Sequence, residues 1–574
     1  MYKKNKHSQQ PLLLSDVNDL PERTLKFLKN SWAETFRREV FLRIPEDRFA
    51  ILYDPCPSRP NVPINVLMGL EILKEWHGWS DEEMYAHFLF DLQVRYALGC
   101  DNFGEGDFDL RTVYYFRRRL SEHALKTGEN MVTGMFEHIT DEQVRKLGLN
   151  TKMQRMDSTQ LLSNIADLSR LELLVEALQR LYRIMSEADQ AKYAGVFRPY
   201  IQESAGQYTY RIKGKEAVWQ HIEEVGKVLY ALLGQLEGYQ EEAVYQIVQR
   251  FFAENFTLID KQVKAKINRE ISPGCLQSLD DLEATYRVKC NRSYKGFVAN
   301  VAETCDPTNP VQLIDAVQTA VNRETDNSLL HEAIPSLVER TGMNQLVTDG
   351  GYISQENDEE MRSRNIEHIT TGLTGTLPNH EKGKKALSDF EMELDREGNV
   401  TKAICPAGHC AVISQSASGK SFKFTFSPTA CLACAFYQAD QCPVQTNKHK
   451  SIFFLPVPKD RARSSQRRRR FECCKEEARA LRPAVEATIF QVKHTLRRGK
   501  LRVRGLFRTA CVITCSALAV NLRRLYRYEK DQLRGKYTSK KASFASSRSF
   551  LATIQARFQF VLPAPHRFAI YFGR

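Results

Sequence analysis

The chain has 574 residues, 42% of them hydrophobic and 26% charged, with a formal net charge of +13. That length suits roughly two to four domains, each burying its own core, and the apolar content excludes an intrinsically disordered chain. The positive excess favours an anionic partner, nucleic acid or a membrane surface, without choosing between them.

The opening stretch MYKKNKHSQQPLLLSDVNDL has a basic start but only three leucines before polar residues return, so no secretory apolar region is expected. The 14 cysteines are then read as reduced thiols of a cytosolic compartment, where clustered cysteines bind metal more often than they pair. Residues 17–140 read as mostly helical, with a capping box of Ser80 and Glu83 starting one helix. RTVYYFRRRL places Arg117, Arg118 and Arg119 on another helix, as a solvated basic face or a DNA contact.

From about residue 146 the pattern changes. A short strand ends at Asp157, helices return to about residue 255, SYKGFVANVAET reads as a strand, PVQLIDAVQTAVN as a helix, and NQLVTDGGYISQEN as strand, glycine turn and helix start. Strands alternating with helices predict an α/β domain with a partly parallel sheet. Residues 376–460 read as a β-rich, cysteine-bearing insertion containing SFKFTFSP and SIFFLPVP. A run with six arginines in positions 461–470 follows, then a helical block to about residue 527, in which TACVITCSALAVNL suits a buried core helix rather than a membrane span. The rest, 528–574, reads as a basic tail.

Asp157 and Asp349 stand at the ends of predicted strands, where open α/β sheets gather ligand-binding groups. Reaction at a phosphodiester is well served by two Mg²⁺ ions, which prefer carboxylate oxygens, so a third acid beside the sheet would complete the set. Glu486 in the helical stretch AVEATIFQVKH is the candidate. Helix N-cap and turn duties are the ordinary alternatives for the two aspartates.

In MDSTQLLSN, TDGGY and RPAVEATIFQVKH the chain resembles the DDE transposases of bacterial insertion sequences, most nearly insertion-sequence family 1182. Many of these enzymes show Tyr, Arg, Glu and Lys around the third acid; Arg482, Glu486 and Lys493 fit that spacing, and Arg479 stands where the tyrosine would be. The resemblance spans roughly residues 30–525, including GKLRVRGLFR and the cysteine-bearing insertion. It implies an RNase H-like catalytic core, a mixed sheet flanked by helices, with a helical N-terminal DNA-binding domain over 1–145. The core would span 146–375, with a helical insertion at about 165–285, and resume over 461–527.

The implied activity is hydrolysis and strand transfer at the terminal inverted repeats of a mobile element. Asp157, Asp349 and Glu486 would be the catalytic acids, holding two Mg²⁺ or Mn²⁺ ions. Arg482, Lys493, Arg497, Arg498, Lys500 and Arg504 would hold double-stranded DNA, both element ends and target. A homodimer in the DNA complex, no membrane, and a place at the bacterial nucleoid in the cytoplasm are the further expectations. Two rivals stand beside this reading: a transposase-derived DNA-binding protein without catalysis, which the presence of all three acids opposes, and a DNA nuclease without strand transfer.

Cys405 and Cys410, then Cys431 and Cys434 with Cys442 close behind, have the layout of a structural Zn²⁺ site, since four thiolates can close a tetrahedron. His409 or Cys442 could substitute for one ligand, and buried reduced thiols are the alternative to a metal site.

Overall fold

The computed structural model describes residues 1–5, 15–56, 60–104, 106–260, 262–373, 380, 383–395, 397–473 and 475–533, without the side chains of 237, 470, 473, 475–482 and 485. The basic tail from residue 534 onward lies outside the described residues.

The N-terminal segment is helical, as its periodicity predicts. Pro63 opens the helix Ile64–His77 (α1), and Gly78 closes it in a left-handed conformation, φ 73°, with its N–H donating to the Lys74 carbonyl at 2.8 Å. Ser80 and Glu83 form the expected capping box on the next helix, Asp81–Phe90. Arg111–Thr127 (α2) carries the three arginines. Arg117 turns inward and donates to the carboxylates of Glu71 at 2.7 Å and Asp81 at 2.7 and 2.8 Å, while Arg118 and Arg119 remain exposed.

A six-stranded mixed sheet follows: Met153–Leu162 (β1), Thr285–Lys289 (β2), Arg292–Thr304 (β3), Ile314–Val321 (β4), Gln345–Thr348 (β5) and Glu367–Thr370 (β6). β3 pairs antiparallel with β1 along one edge and with β2, then β4, along the other; β5 lies parallel to β1, and β6 parallel to β5. The helix Asp326–Thr341 (α3) connects β4 to β5.

Two sequence expectations change here. β1 does not end at Asp157 but runs on to Leu162, because the long β3 supplies paired partners from Gln154↔Thr304 to Leu162↔Gly296. PVQLIDAVQTAVN is not a helix: residues 314–321 form β4, whose Ile314, Val317, Thr319 and Val321 are β-branched and whose backbone partners come from the open edge of β3.

One further segment lies between strands of the sheet and a second follows its last strand. Between β1 and β2, helices spanning residues 170–255 bury their own core of Leu174, Leu178, Phe197, Val225, Leu229 and Val248. After β6, the strands Glu391–Leu394 and Val400–Ile404 pair with each other. A four-stranded antiparallel sheet over 412–458 then packs Phe424, Phe453 and Val457 around Phe390.

The chain returns through the helices Lys459–Cys473, Lys475–Val492 (α4) and Leu506–Leu533 (α5), so the expected helical block is broken between 493 and 505. α5 is long and apolar enough to cross a membrane, yet Ile513, Leu518, Val520 and Leu522 are buried in one core with α1, the Met131–Leu147 helix and the sheet. Asn521 on α5, fully buried, accepts from the Ile314 amide at 2.8 Å and donates to the Ile314 carbonyl at 2.7 Å, satisfying the first residue of β4. The N-terminal helices and part of the sheet therefore share a hydrophobic core through α5, while Met156, Ala302 and Leu346 of the sheet pack with Leu330, Ile334 and Leu337 of α3 in a separate one.

Candidate active site

The last parallel pair between β1 and β5 is Arg155↔Val347, and each strand carries an aspartate two residues further on. Asp157 and Asp349 thus stand at equivalent positions where the two strands part. Asp349 caps the short turn Gly350–Tyr352, its Oδ1 accepting from the Gly351 amide at 2.8 Å. Space at Gly351 is tight: a Cβ there would lie 3.0 Å from a side-chain oxygen of Asp349 and 3.0 Å from one of Asp326. Asp157 Oδ1 accepts from the Ser158 amide at 2.8 Å.

Helix α4 brings the third acid to the same place. Asp157, Asp349 and Glu486 line one cleft of about 40 Å³, walled by Met156, Val347 and Thr371. Burial pushes the Asp157 carboxyl up to about 7, and the negative charges of Asp349 and Asp326 add to the rise against the Ser158 amide and Lys289. Glu486 is exposed. The cleft therefore gathers three carboxyl groups, of which buried Asp157 is the one most reluctant to ionise without a cation beside it.

A further acid, Asp326, escaped the sequence reading. It follows the N-cap Thr325 and looks like an ordinary first-turn acid of α3, complementary to the helix dipole. In the fold it is buried and accepts from Ser158 Oγ at 2.6 Å, beside Asp157 on β1.

The basic segment after Glu486 is stitched to the outgoing end of β1. Lys493 Nζ donates to Thr159 Oγ1 and to the Gln160 carbonyl, both at 3.0 Å. Lys500 donates to the Ile165 carbonyl at 2.8 Å, Arg504 to the Asn164 carbonyl at 2.8 Å, and Arg502 to the Trp79 carbonyl at 2.5 Å. The Leu501 amide meets the Leu162 carbonyl at 2.8 Å. Arg497 and Arg498 are exposed on a tight turn in which Arg498 takes a left-handed φ of 54°. Arg482 stands on α4, its side chain outside the described residues.

In the insertion, Ile404 and Cys410 form an isolated bridge, and the His409 amide approaches Cys405 Sγ at 3.4 Å. The Cys434 amide donates to the Cys431 carbonyl at 3.2 Å. Burial raises the Cys431 thiol to about 11, and Cys442, Cys405 and Cys434 add to the rise, so these four sulfurs are electrostatic neighbours. Cys410 is exposed and absent from that group.

Among the described residues no group of three or more His, Cys, Asp and Glu is arranged to hold a metal ion. The donor chemistry nonetheless fits: hard carboxylate oxygens suit Mg²⁺ or Mn²⁺ in the cleft, and soft sulfurs suit Zn²⁺ in the insertion.

Residues 404–526 match the family model described as "Transposase DDE domain". The match includes Glu486, α4 and the first part of α5, and supports a DDE transposase, a class that generally uses divalent metals. Neither the curated proteins nor the solved structures contain a match.

Proposed function

We propose that the chain is a DDE transposase that nicks DNA at the ends of an insertion sequence and joins the freed 3′-OH to target DNA. The observation that carries this reading is the meeting of Asp157, Asp349 and Glu486 in one cleft, from three positions separated by two insertions. An RNase H-like description of the core is supported by the sheet, in which β3 runs antiparallel to β1, β2 and β4 and the parallel strands β5 and β6 lie on the far side of β1. Membership of insertion-sequence family 1182 rests on the sequence motifs.

In this reading Asp157 and Asp349 anchor the cleft from rigid strands, and Glu486 closes it from α4. Two divalent ions held by these carboxylates would supply an activated attacking oxygen and a stabilised leaving oxygen at the phosphodiester. Lys493, fixed beside β1, and Arg482 would neutralise phosphates of the strand entering the cleft, with Arg497 and Arg498 presented on the turn beyond. Lys500 and Arg504, expected to bind DNA, also hold the 493–505 segment in place through their carbonyl bonds. Double-stranded DNA is the partner, handled by a homodimer in the bacterial cytoplasm, and Cys405, Cys431, Cys434 and Cys442 form a structural zinc site, with Cys410 outside it.

The test is a nicking and strand-transfer assay with purified chain, Mg²⁺ and a duplex carrying the element's end, beside Asp349→Asn. Loss of 3′ nicking in the variant is expected, and equal cleavage by both overturns the three-acid assignment. Nicking without joining identifies a nuclease instead.

A further inference from the structure

Glu303 lies on β3 directly opposite Arg155 of β1, and only 2% of it is exposed. Three donors converge on its carboxylate. Arg155 Nε reaches Oε1 at 2.6 Å, Thr488 Oγ1 reaches the same oxygen at 2.5 Å, and Arg524 Nη1 reaches Oε2 at 2.5 Å. Arg524 also donates from Nη2 to Thr488 Oγ1 at 2.6 Å and from Nε to Gln491 Oε1 at 3.3 Å. Against the cost of burial, the charges of Arg155 and Arg524 hold the Glu303 carboxyl down to about 2, so it stays ionised.

The partners of this buried carboxylate are not scattered. Arg155 is two residues before Asp157 on the same face of β1, since strand side chains alternate. Thr488 is two residues after Glu486 on α4, and about 200° around a helix from it, so anchoring Thr488 to the sheet fixes which way Glu486 points. Arg524 brings α5 into the same contact. A purely structural ion pair between β1 and β3 would need only Arg155; here one carboxylate also registers the helix of the third acid against the strand of the first.

We infer that Glu303 is a positioning residue, which through Thr488 and Arg155 sets the separation of Glu486 and Asp157 across the cleft. The inference rests on the three-acid reading of the site. Groups that orient metal-binding carboxylates from behind typically change metal affinity by about 10- to 100-fold when removed.

The test uses the full-length chain and two readouts. Mn²⁺ binding is followed by the electron paramagnetic resonance of free Mn²⁺, and nicking is followed as a function of Mg²⁺ concentration. Thr488→Val keeps the shape and removes the donor; Thr488→Ser keeps the donor. Thr488→Val is expected to weaken Mn²⁺ binding and raise the Mg²⁺ midpoint by about tenfold at unchanged circular dichroism, with Thr488→Ser within about twofold of the parent chain. Glu303→Gln is expected to shift both midpoints further. If Thr488→Val loses only thermal stability and both metal midpoints stay at parent values, the inference is overturned. A parent chain that binds Mn²⁺ no better than Asp157→Asn overturns the three-acid reading instead, and this inference with it.

Discussion

Lys493, just past the end of α4, reaches β1, its Nζ 3.0 Å from Thr159 Oγ1, two residues beyond Asp157 on the same strand. Burial and then the charge of Arg292 lower its pKa, so the ammonium is held where an arriving phosphate would relieve unfavourable surroundings. Lys493→Met is expected to weaken binding of an element-end duplex and to reduce the slope of log affinity against log salt by about one. Loss of its two hydrogen bonds should also cost about 1–2 kcal/mol of stability. Fluorescence anisotropy at several salt concentrations separates the effects: an unchanged slope with lowered stability assigns Lys493 to the fold alone.

The insertion is expected to carry about one zinc per chain, held by Cys405, Cys431, Cys434 and Cys442. Plasma emission analysis of purified protein measures it. Cys431→Ser should reduce the content and expose the insertion's core to limited proteolysis, whereas Cys410→Ser should do neither. A chain free of zinc, with Cys431→Ser unaltered, returns these residues to the role of buried thiols.

His368 on β6 gives the protein a pH-dependent stability. Its Nε2 lies 2.7 Å from Thr348 Oγ1, and burial, followed by the charge of Arg467, pushes its pKa down to about 4 from 6.5. The folded state therefore refuses a proton that the unfolded state accepts between those values. Stability from this group is present above pH 6.5 and is lost as pH falls toward 4, by about 3 kcal/mol at most. Urea melts of the parent chain and His368→Gln at pH 7.5 and pH 5 check the sign: the variant's stability should fall less over that interval.

Gly296→Ala should destabilise the sheet by more than about 3 kcal/mol, or prevent soluble expression, because the added carbon would meet backbone on β1 rather than a movable side chain. The nearest atoms would be Leu161 O at 2.3 Å and Ser163 N at 2.6 Å. Wild-type thermal stability in this variant would mean that β1 and β3 lie further apart at Leu161 and Gly296 than their paired register implies.

Local signals in the sequence foretold local structure. The capping box of Ser80 and Glu83 and the strand before Asp349 were both legible because neighbouring residues determine them. β4 was misread because apolar spacing in PVQLIDAVQTAVN also suits a helix, and the exposed edge of β3 decided the outcome. The continuation of β1 past Asp157 has the same cause.

At the candidate site, strand ends and motif spacing mark Asp157, Asp349 and Glu486 in the sequence, while the buried acids behind them carry no such signal. Asp326 and Glu303 are recognised only by what lies beside them, Ser158 and Arg155, more than a hundred residues away along the chain. Likewise, nothing in GKLRVRGLFR distinguishes an arginine facing solvent from one whose nitrogen meets the Asn164 carbonyl.

The route of the chain through α5 imposes an order on assembly. β1 is synthesised early, but its antiparallel partner β3 follows only after the helical insertion, and α5 must join α1, the Met131–Leu147 helix and β4. Such long-range pairings make folding slow, because chain closure precedes the contacts that reward it. The nascent chain spends most of its synthesis with α1 lacking its final apolar partner and with Asp157 and Asp349 lacking the helix that carries Glu486. The three-acid cleft can close only in a chain elongated past α4, and the surfaces left uncovered until then expose the unfinished chain to aggregation.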